Sequence, residues 1–230
     1  MFPKVFCINL KRSTRRREFM EEQFLNLNIA CEMIDAIDGS KLNENANQFS
    51  RLCSQKFSQV CGGRPLTDSE FGCALSHLLV YQRMVERDLS VAVILEDDIR
   101  IGMAFKLFLR KLNTFSRHDW DLINLVSITP SIPYGEALFD IYRLSKFVEP
   151  PGSAGAYCLK LSAAEKMLGF GYPVRYASDD LIAFSENIGV KVLGLLPEVV
   201  VQDSVFQSEI GARNFHVSIL DKATKYPTLP

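Results

Sequence analysis

Val91-Ala92-Val93-Ile94-Leu95-Glu96-Asp97-Asp98 is the stretch that decides the fold. Five apolar residues in a row, without the polar alternation of a half-exposed strand, read as a central strand covered on both faces. The run discharges directly into three carboxylates. Upstream, Thr67-Asp68-Ser69-Glu70 has the pattern of a capping box, and Phe71, Leu75, Leu78, Leu79 and Val85 follow as the buried face of a helix. Downstream, the pattern predicts a helix near Met103 to Leu112 and a strand near Leu122 to Leu125. At the N-terminus, Val5-Phe6-Cys7-Ile8 reads as a strand, Phe19, Phe24 and Leu27 mark a helix, and Ile29 to Ile34 reads as a second strand. That strand closes in the turn Asp35-Ala36-Ile37-Asp38-Gly39. Strand and helix alternate, which predicts an α/β class with a mostly parallel central sheet flanked by helices.

The later part is less regular. Residues 40–65 read as a polar insertion, and an irregular stretch holds Pro130, Pro133 and Gly135. Gly152 to Leu161 is β-prone, Ser162-Ala163-Ala164-Glu165 has the pattern of a second capping box, and Asp179-Asp180 opens a further helix. Val190 to Leu195 and Val199 to Val201 read as late strands, followed by a weakly patterned tail from Asp203. At 230 residues without a linker, the chain is expected to be a single domain, residues 1–230.

A formal net charge of −1 argues against a protein that grips nucleic acid over its whole surface. One local basic cluster exists, Lys11, Arg12, Arg15, Arg16 and Arg17, of which Arg16 and Arg17 read as surface. No apolar stretch approaches the roughly 20 residues that span a bilayer, and the N-terminus lacks a signal-peptide pattern, so a cytoplasmic location is expected. The six cysteines, at positions 7, 31, 53, 61, 73 and 158, form no zinc-type C-x-x-C pair and read as reduced, buried thiols.

Three adjacent carboxylates at the mouth of a hydrophobic strand repel one another unless water or a cation compensates them. Mg²⁺ or Mn²⁺ does so while also taking phosphate oxygens, so Glu96-Asp97-Asp98 can hold a metal that holds a diphosphate. A solvated acidic turn with capping duty is the alternative. Ligands of open α/β sheets collect outside the carboxyl ends of the strands, where Asn9, Asp35, Asp38 and the acidic cluster all fall. Arg12 and Arg15 could meet phosphates there, or form a solvated basic face.

These residues carry a resemblance. Ile8-Asn9-Leu10-Lys11-Arg12 with Arg15-Arg16, then Asp35-Ala36-Ile37-Asp38-Gly39, then Gly72-Cys73-Ala74-Leu75-Ser76-His77, then Ile94-Leu95-Glu96-Asp97-Asp98, look like the ordered blocks of glycosyltransferase family 25, the bacterial lipooligosaccharide glycosyltransferases. Gly155-Ala156-Tyr157, Asp179 and Gln202 are similar to its weaker late blocks. The resemblance implies a GT-A-like fold, a UDP-sugar donor carrying galactose or glucose, inversion at the anomeric carbon, and Mn²⁺ or Mg²⁺ as cofactor. It implies a lipooligosaccharide or other oligosaccharide acceptor and peripheral association with the cytoplasmic face of an inner membrane, while the charge balance leads us to expect no nucleic-acid partner. On this reading residues 1–125 bind the nucleotide sugar and residues 126–230 the acceptor. Asn9, Leu10, Arg12, Arg15, Asp35, Asp38, Ser76, His77, Glu96 and Asp97 are the expected donor contacts. Asp98, with Glu96 and His216, is the expected metal set, and Asp179 or Asp180 the expected general base. A capping role for either aspartate, and a hydrogen-bonded core role for His77, are the competing readings.

A haloacid-dehalogenase-type phosphatase also places acids after an apolar strand, but it needs an aspartate nucleophile where this chain has Glu96. A non-catalytic sugar-nucleotide or glycan-binding module would keep the donor pocket and lose only the base.

Overall fold

The computed structural model describes residues 2–42, 60–61, 64–115, 118–126 and 129–203. The elements are β1 (Lys4–Asn9), α1 (Thr14–Leu27), β2 (Glu32–Asp35), the short strands β3 (Val60–Cys61) and β4 (Arg64–Pro65), α2 (Asp68–Glu86), β5 (Val91–Glu96) and β6 (Ile99–Ile101). Then follow α3 (Met103–Phe115), β7 (Leu122–Asn124), β8 (Ser131–Phe139), β9 (Tyr142–Phe147), β10 (Ala156–Lys160), α4 (Leu161–Gly171), α5 (Ser178–Ala183), β11 (Val192–Leu196) and β12 (Val200–Gln202).

Eight strands form one sheet in the order β2-β1-β5-β10-β7-β11-β9-β8. β1 is parallel to β2 and β5, and β7 to β11, whereas β10 and β9 run against both their neighbours. Six of the eight strands therefore point the same way, and the expected α/β class with a mostly parallel sheet is the fold observed. β1 has β2 on one side and β5 on the other, so the chain reverses its direction of travel across the sheet at β1. The carboxyl ends of β1 and β5 thus flank a switch-point crevice.

Period-two alternation feeds two cores. Phe6, Ile8, Ala92, Ile94, Tyr157 and Leu159 pack with Phe71, Leu75 and Leu78 of α2, Met167 of α4 and Leu181 of α5. Val5, Cys7, Val93, Leu95, Ala156 and Cys158 pack with Met20 and Phe24 of α1 and with Phe105, Phe108 and Leu112 of α3. The sheet is covered on both faces, which is why β5 needs no polar position before Glu96.

The capping box at Thr67 forms as expected, with the Glu70 amide donating to Thr67 Oγ1 at 3.2 Å and the Thr67 amide to Glu70 Oε2 at 2.9 Å. Val85, read as part of the buried face, is instead exposed. The pattern at Ser162 does not cap: α4 starts at Leu161, whose amide donates to the Ser90 carbonyl at 3.0 Å, so a tertiary acceptor replaces the side chain. The second strand starts at Glu32 rather than Ile29, because Asn28 closes α1 in a left-handed conformation and the chain must turn before pairing. The stretch around Pro133, read as irregular, is the β8–β9 hairpin, and proline is tolerated because β8 is the sheet's edge strand. Most of the 40–65 insertion and the tail beyond Asp203 lie outside the described residues. Cys7, Cys31, Cys73 and Cys158 form no disulfide, and Cys31 and Cys73 are only half-buried. No described helix is long and apolar enough to cross a membrane.

Candidate functional site

Register brings the motif residues together. Ile8 pairs with Glu96 and Asn9 with Asp35, so Asn9 and the acidic cluster meet at adjacent strand ends. Alternation sends Glu96 to the side of Ile94 and α2, and Asp97 to the side of α1. There Asp97, only 7% exposed, accepts from Asn9 Nδ2 at 2.7 Å and from Arg16 Nη1 at 2.6 Å. Burial raises the Asp97 carboxyl, and Arg16 opposes that rise.

On the other side, Glu96 Oε1 lies 3.3 Å from His77 Nε2 and 3.6 Å from Cys73 Sγ. Tyr157 of β10 shares the face of Ile94, its partner on β5, and places its hydroxyl 2.7 Å from His77 Nδ1 and 2.8 Å from the Tyr81 hydroxyl. Ser76 Oγ donates to the Gly72 carbonyl at 2.7 Å and accepts from the Ile37 amide at 2.8 Å, fastening the 37–39 turn to α2. The two meet backbone to backbone. A Cβ at Gly72 would lie 2.5 Å from the Ile37 carbonyl oxygen, and one at Gly39 would lie 1.7 Å from that of Asp68.

Asp98 turns out of β5 toward β6 and β12. Its Oδ2 accepts from Gln202 Nε2 at 3.1 Å and its carbonyl from the Asp203 amide at 2.7 Å. Burial first, then the neighbouring Glu96, pushes the Asp98 carboxyl up to about 6. Asp98 Oδ1 and Asn9 Oδ1 are both buried with no hydrogen-bond donor among the described residues. Buried acceptors without donors are uncommon, and a carboxylate or amide oxygen is the kind of ligand a hard divalent cation takes.

An open cleft of ≈ 630 Å³, counting space open to solvent, lies over these strand ends. Its walls include Leu10, Arg12, Arg16, Ile37, Asp38, Cys73, Ser76, Glu96 and Asp97. Arg12 and Asp38 form an ion pair at the rim. The chain matches Glycosyltransferase family 25 (LPS biosynthesis protein) over residues 2–182. The chain belongs to glycosyltransferase family 25.

Among the family's curated members, Procollagen galactosyltransferase 1 of Danio rerio is 35% identical over 175 residues, which are 73% of this chain and 28% of that protein. Procollagen galactosyltransferase 2 of Homo sapiens is 30% identical over 176 residues, again 73% and 28%. Inactive glycosyltransferase 25 family member 3 of Homo sapiens is 34% identical over 128 residues, 54% of this chain and 22% of that protein. The chain thus spans between a fifth and a third of the length of these relatives. A glycosyltransferase involved in the glycosylation of the major capsid of PBCV-1 is superimposable only loosely, with a TM-score of 0.41 at 11% identity over 90% of this chain and 95% of that one.

In this family 25 chain the four sequence blocks are thus four sides of one cleft. Not every expected residue joins it: Asn9, His77 and Asp98 are buried and are not part of its lining. Asp35 is exposed and pairs with Arg17 at 3.4 Å and Lys11 at 3.8 Å, and Arg15 is exposed on α1 outside the cleft wall. Neither Asp179 nor Asp180 lines the cleft, and Asp179 Oδ1 accepts from the Ala154 amide at 2.9 Å, holding the segment that leads into β10. His216 lies outside the described residues. Conversely, Arg16 was read as surface but is turned inward onto Asp97. Its spacing of four from Arg12, the other arginine in the wall, was the available signal.

Proposed function

We propose that the chain transfers a hexose from a UDP-sugar to a glycan acceptor, inverting the anomeric carbon, with the donor diphosphate held through Mn²⁺ or Mg²⁺. The observation that carries this reading is the pair of buried oxygens without donors, Asp98 Oδ1 and Asn9 Oδ1, at the switch-point crevice beside Glu96. Asp98 and Glu96 would hold the ion, which when bound would offset the charge on the departing diphosphate. The chain's own residues do the rest. Arg16 and Asn9 fix Asp97, Arg12 stands at the rim within reach of a phosphate, and Leu10 with Ile37 offers an apolar wall for the base. One of Asp179 and Asp180 takes the proton of the attacking hydroxyl.

Residues 126–230 supply the acceptor side. A second cleft of ≈ 600 Å³, again counting space open to solvent, is lined by Thr129, Ser131, Ser145, Phe147 and Glu198 together with Asn124 and Leu125, and the buried Ser145 Oγ has no partner among the described residues. Hydroxyls beside an aromatic ring suit a sugar. The names of the relatives favour galactose as the hexose, and place a procollagen polypeptide beside lipooligosaccharide among acceptors to test. A lipooligosaccharide acceptor would put the protein at the cytoplasmic face of an inner membrane. The inactive relative supports a second reading, a donor-binding module without turnover.

Labelled UDP-galactose and UDP-glucose, offered with Mn²⁺ and that acceptor panel, test both. Transfer should need the metal and vanish in folded Asp98→Asn. One of Asp179→Asn and Asp180→Asn should lose about 10²–10⁴-fold in turnover with donor affinity kept. Donor binding without transfer to any acceptor would establish the second reading, and full activity after chelation would refute the metal role.

A further inference from the structure

Cys73 and His77 stand four residues apart on one face of α2, and Glu96 at the end of β5 faces both. One ligand atom from each, a thiol sulfur, a ring nitrogen and a carboxylate oxygen, all lie within 4.8 Å of one another. Two of the three edges are resolved: Sγ to Oε1 is 3.6 Å and Nε2 to Oε1 is 3.3 Å. Zinc bonds of about 2.3 Å to sulfur and about 2.0–2.1 Å to nitrogen or oxygen, set tetrahedrally, give edges of about 3.3–3.6 Å. The geometry matches on both edges.

His77 is also oriented for the task. Its Nδ1 is engaged by the Tyr157 hydroxyl, itself bonded to Tyr81, which leaves Nε2 directed at Glu96. Metal-bound histidines are held from behind in the same way. A sulfur–nitrogen–oxygen set selects a softer ion than carboxylate oxygens alone, such as those of Asp98 and Glu96. We propose that Cys73, His77 and Glu96 form a second cation site, of the Zn²⁺ class, in the wall of the cleft. Three protein ligands leave a fourth position for water or the Ser178 hydroxyl, which lies 3.2 Å from Cys73 Sγ. Binding converts the Cys73 thiol to a metal thiolate and releases its proton to solvent. Occupancy engages Glu96 and so opposes the donor-bound ion, a consequence that rests on the donor reading, although binding itself does not.

Titration of the intact chain with Co²⁺ alone tests the site. One equivalent should bind with a thiolate-to-cobalt charge-transfer band that Zn²⁺ removes. Cys73→Ser should abolish the band, His77→Gln should weaken affinity at least about tenfold, and Asp98→Asn should retain it, with circular dichroism reporting that each variant is folded. Cys73→Ser is near-isosteric, so it decides the matter even if His77→Gln does not fold. No band in the parent chain, a band that survives Cys73→Ser, or one lost in Asp98→Asn would overturn the proposal. Because the readout is a spectrum and not turnover, a missing band leaves the Asp98 reading standing, and failed transfer leaves this site standing.

Discussion

At the floor of the cleft Asp97 has two donors, and only Arg16 brings a charge. Both side chains are close to nine-tenths buried, so the pair is held in a medium where an unmatched carboxylate is costly. Arg16→Met keeps the stem and removes the charge. Urea denaturation should show a loss of about 3 kcal/mol, much of it recovered when Asp97→Asn is added, since the double variant leaves no buried charge. Parent-like stability of Arg16→Met, or no recovery in the double variant, would contradict this pairing. The sequence showed five basic residues in seven and could not say which turned inward. Orientation depends on where α1 begins, and a start at Thr14 places Arg16 against the sheet while Arg15 faces solvent. That an acidic cluster ending in Asp98 stands at the mouth of β5 was legible from the residues alone, because it follows directly on an apolar strand. The partners Gln202 and Asp203 were not, since they arrive from a strand a hundred residues later.

Between elements, the turn at residues 37–39 is seated on α2 through glycines. Gly72→Ala would press a methyl against the Ile37 carbonyl and the Gly39 amide, displacing the turn that carries Asp38. Thermal unfolding should report a loss of about 1–3 kcal/mol, together with weaker nucleotide binding. An unchanged melting temperature would mean that the two backbones separate at no cost. Glu32 of β2 ties the opposite sheet edge to α2 through Arg83 and Arg87, and to β1 through Lys4. The Arg87 hydrogen bond, against burial and aided by Lys4, draws the Glu32 carboxyl down to about 2. A lowered carboxyl pKa contributes stability above the unfolded value of about 4.3, and the contribution is lost as pH falls from there through 2. Glu32→Gln should therefore cost about 1 kcal/mol or less at neutral pH, after solvent screening, and little by pH 2. A difference that persisted undiminished in acid would exclude the ion pairs as its source. Elements with one clear period were readable: α1, α2, β1 and β5 fall where the pattern put them, to within a few residues. The β8–β9 hairpin was not, because an exposed edge strand buries too little to show alternation and its proline signals a loop as strongly as an edge.

Over the whole molecule, six co-directed strands bring their carboxyl ends to one side, and β1 divides the chain's outward and return paths across the sheet. That topology gathers blocks spread over the first hundred residues into one cleft with acids, arginines and an apolar wall. The general location of the cleft was legible from strand order, since parallel α/β sheets open a crevice at that edge. The second cleft was not, because it is lined in part by loops and an edge hairpin with no periodic signature. The central claim is that this cleft holds a nucleotide diphosphate through a divalent ion at Asp98. Calorimetric titration of UDP into the chain, with Mn²⁺ and then with chelator, tests it most directly. The account predicts saturable binding with Mn²⁺ that weakens at least about tenfold without it, and the same weakening in Asp98→Asn even when Mn²⁺ is present. UDP binding of equal strength in chelator and in Asp98→Asn, or none under any condition, would contradict it.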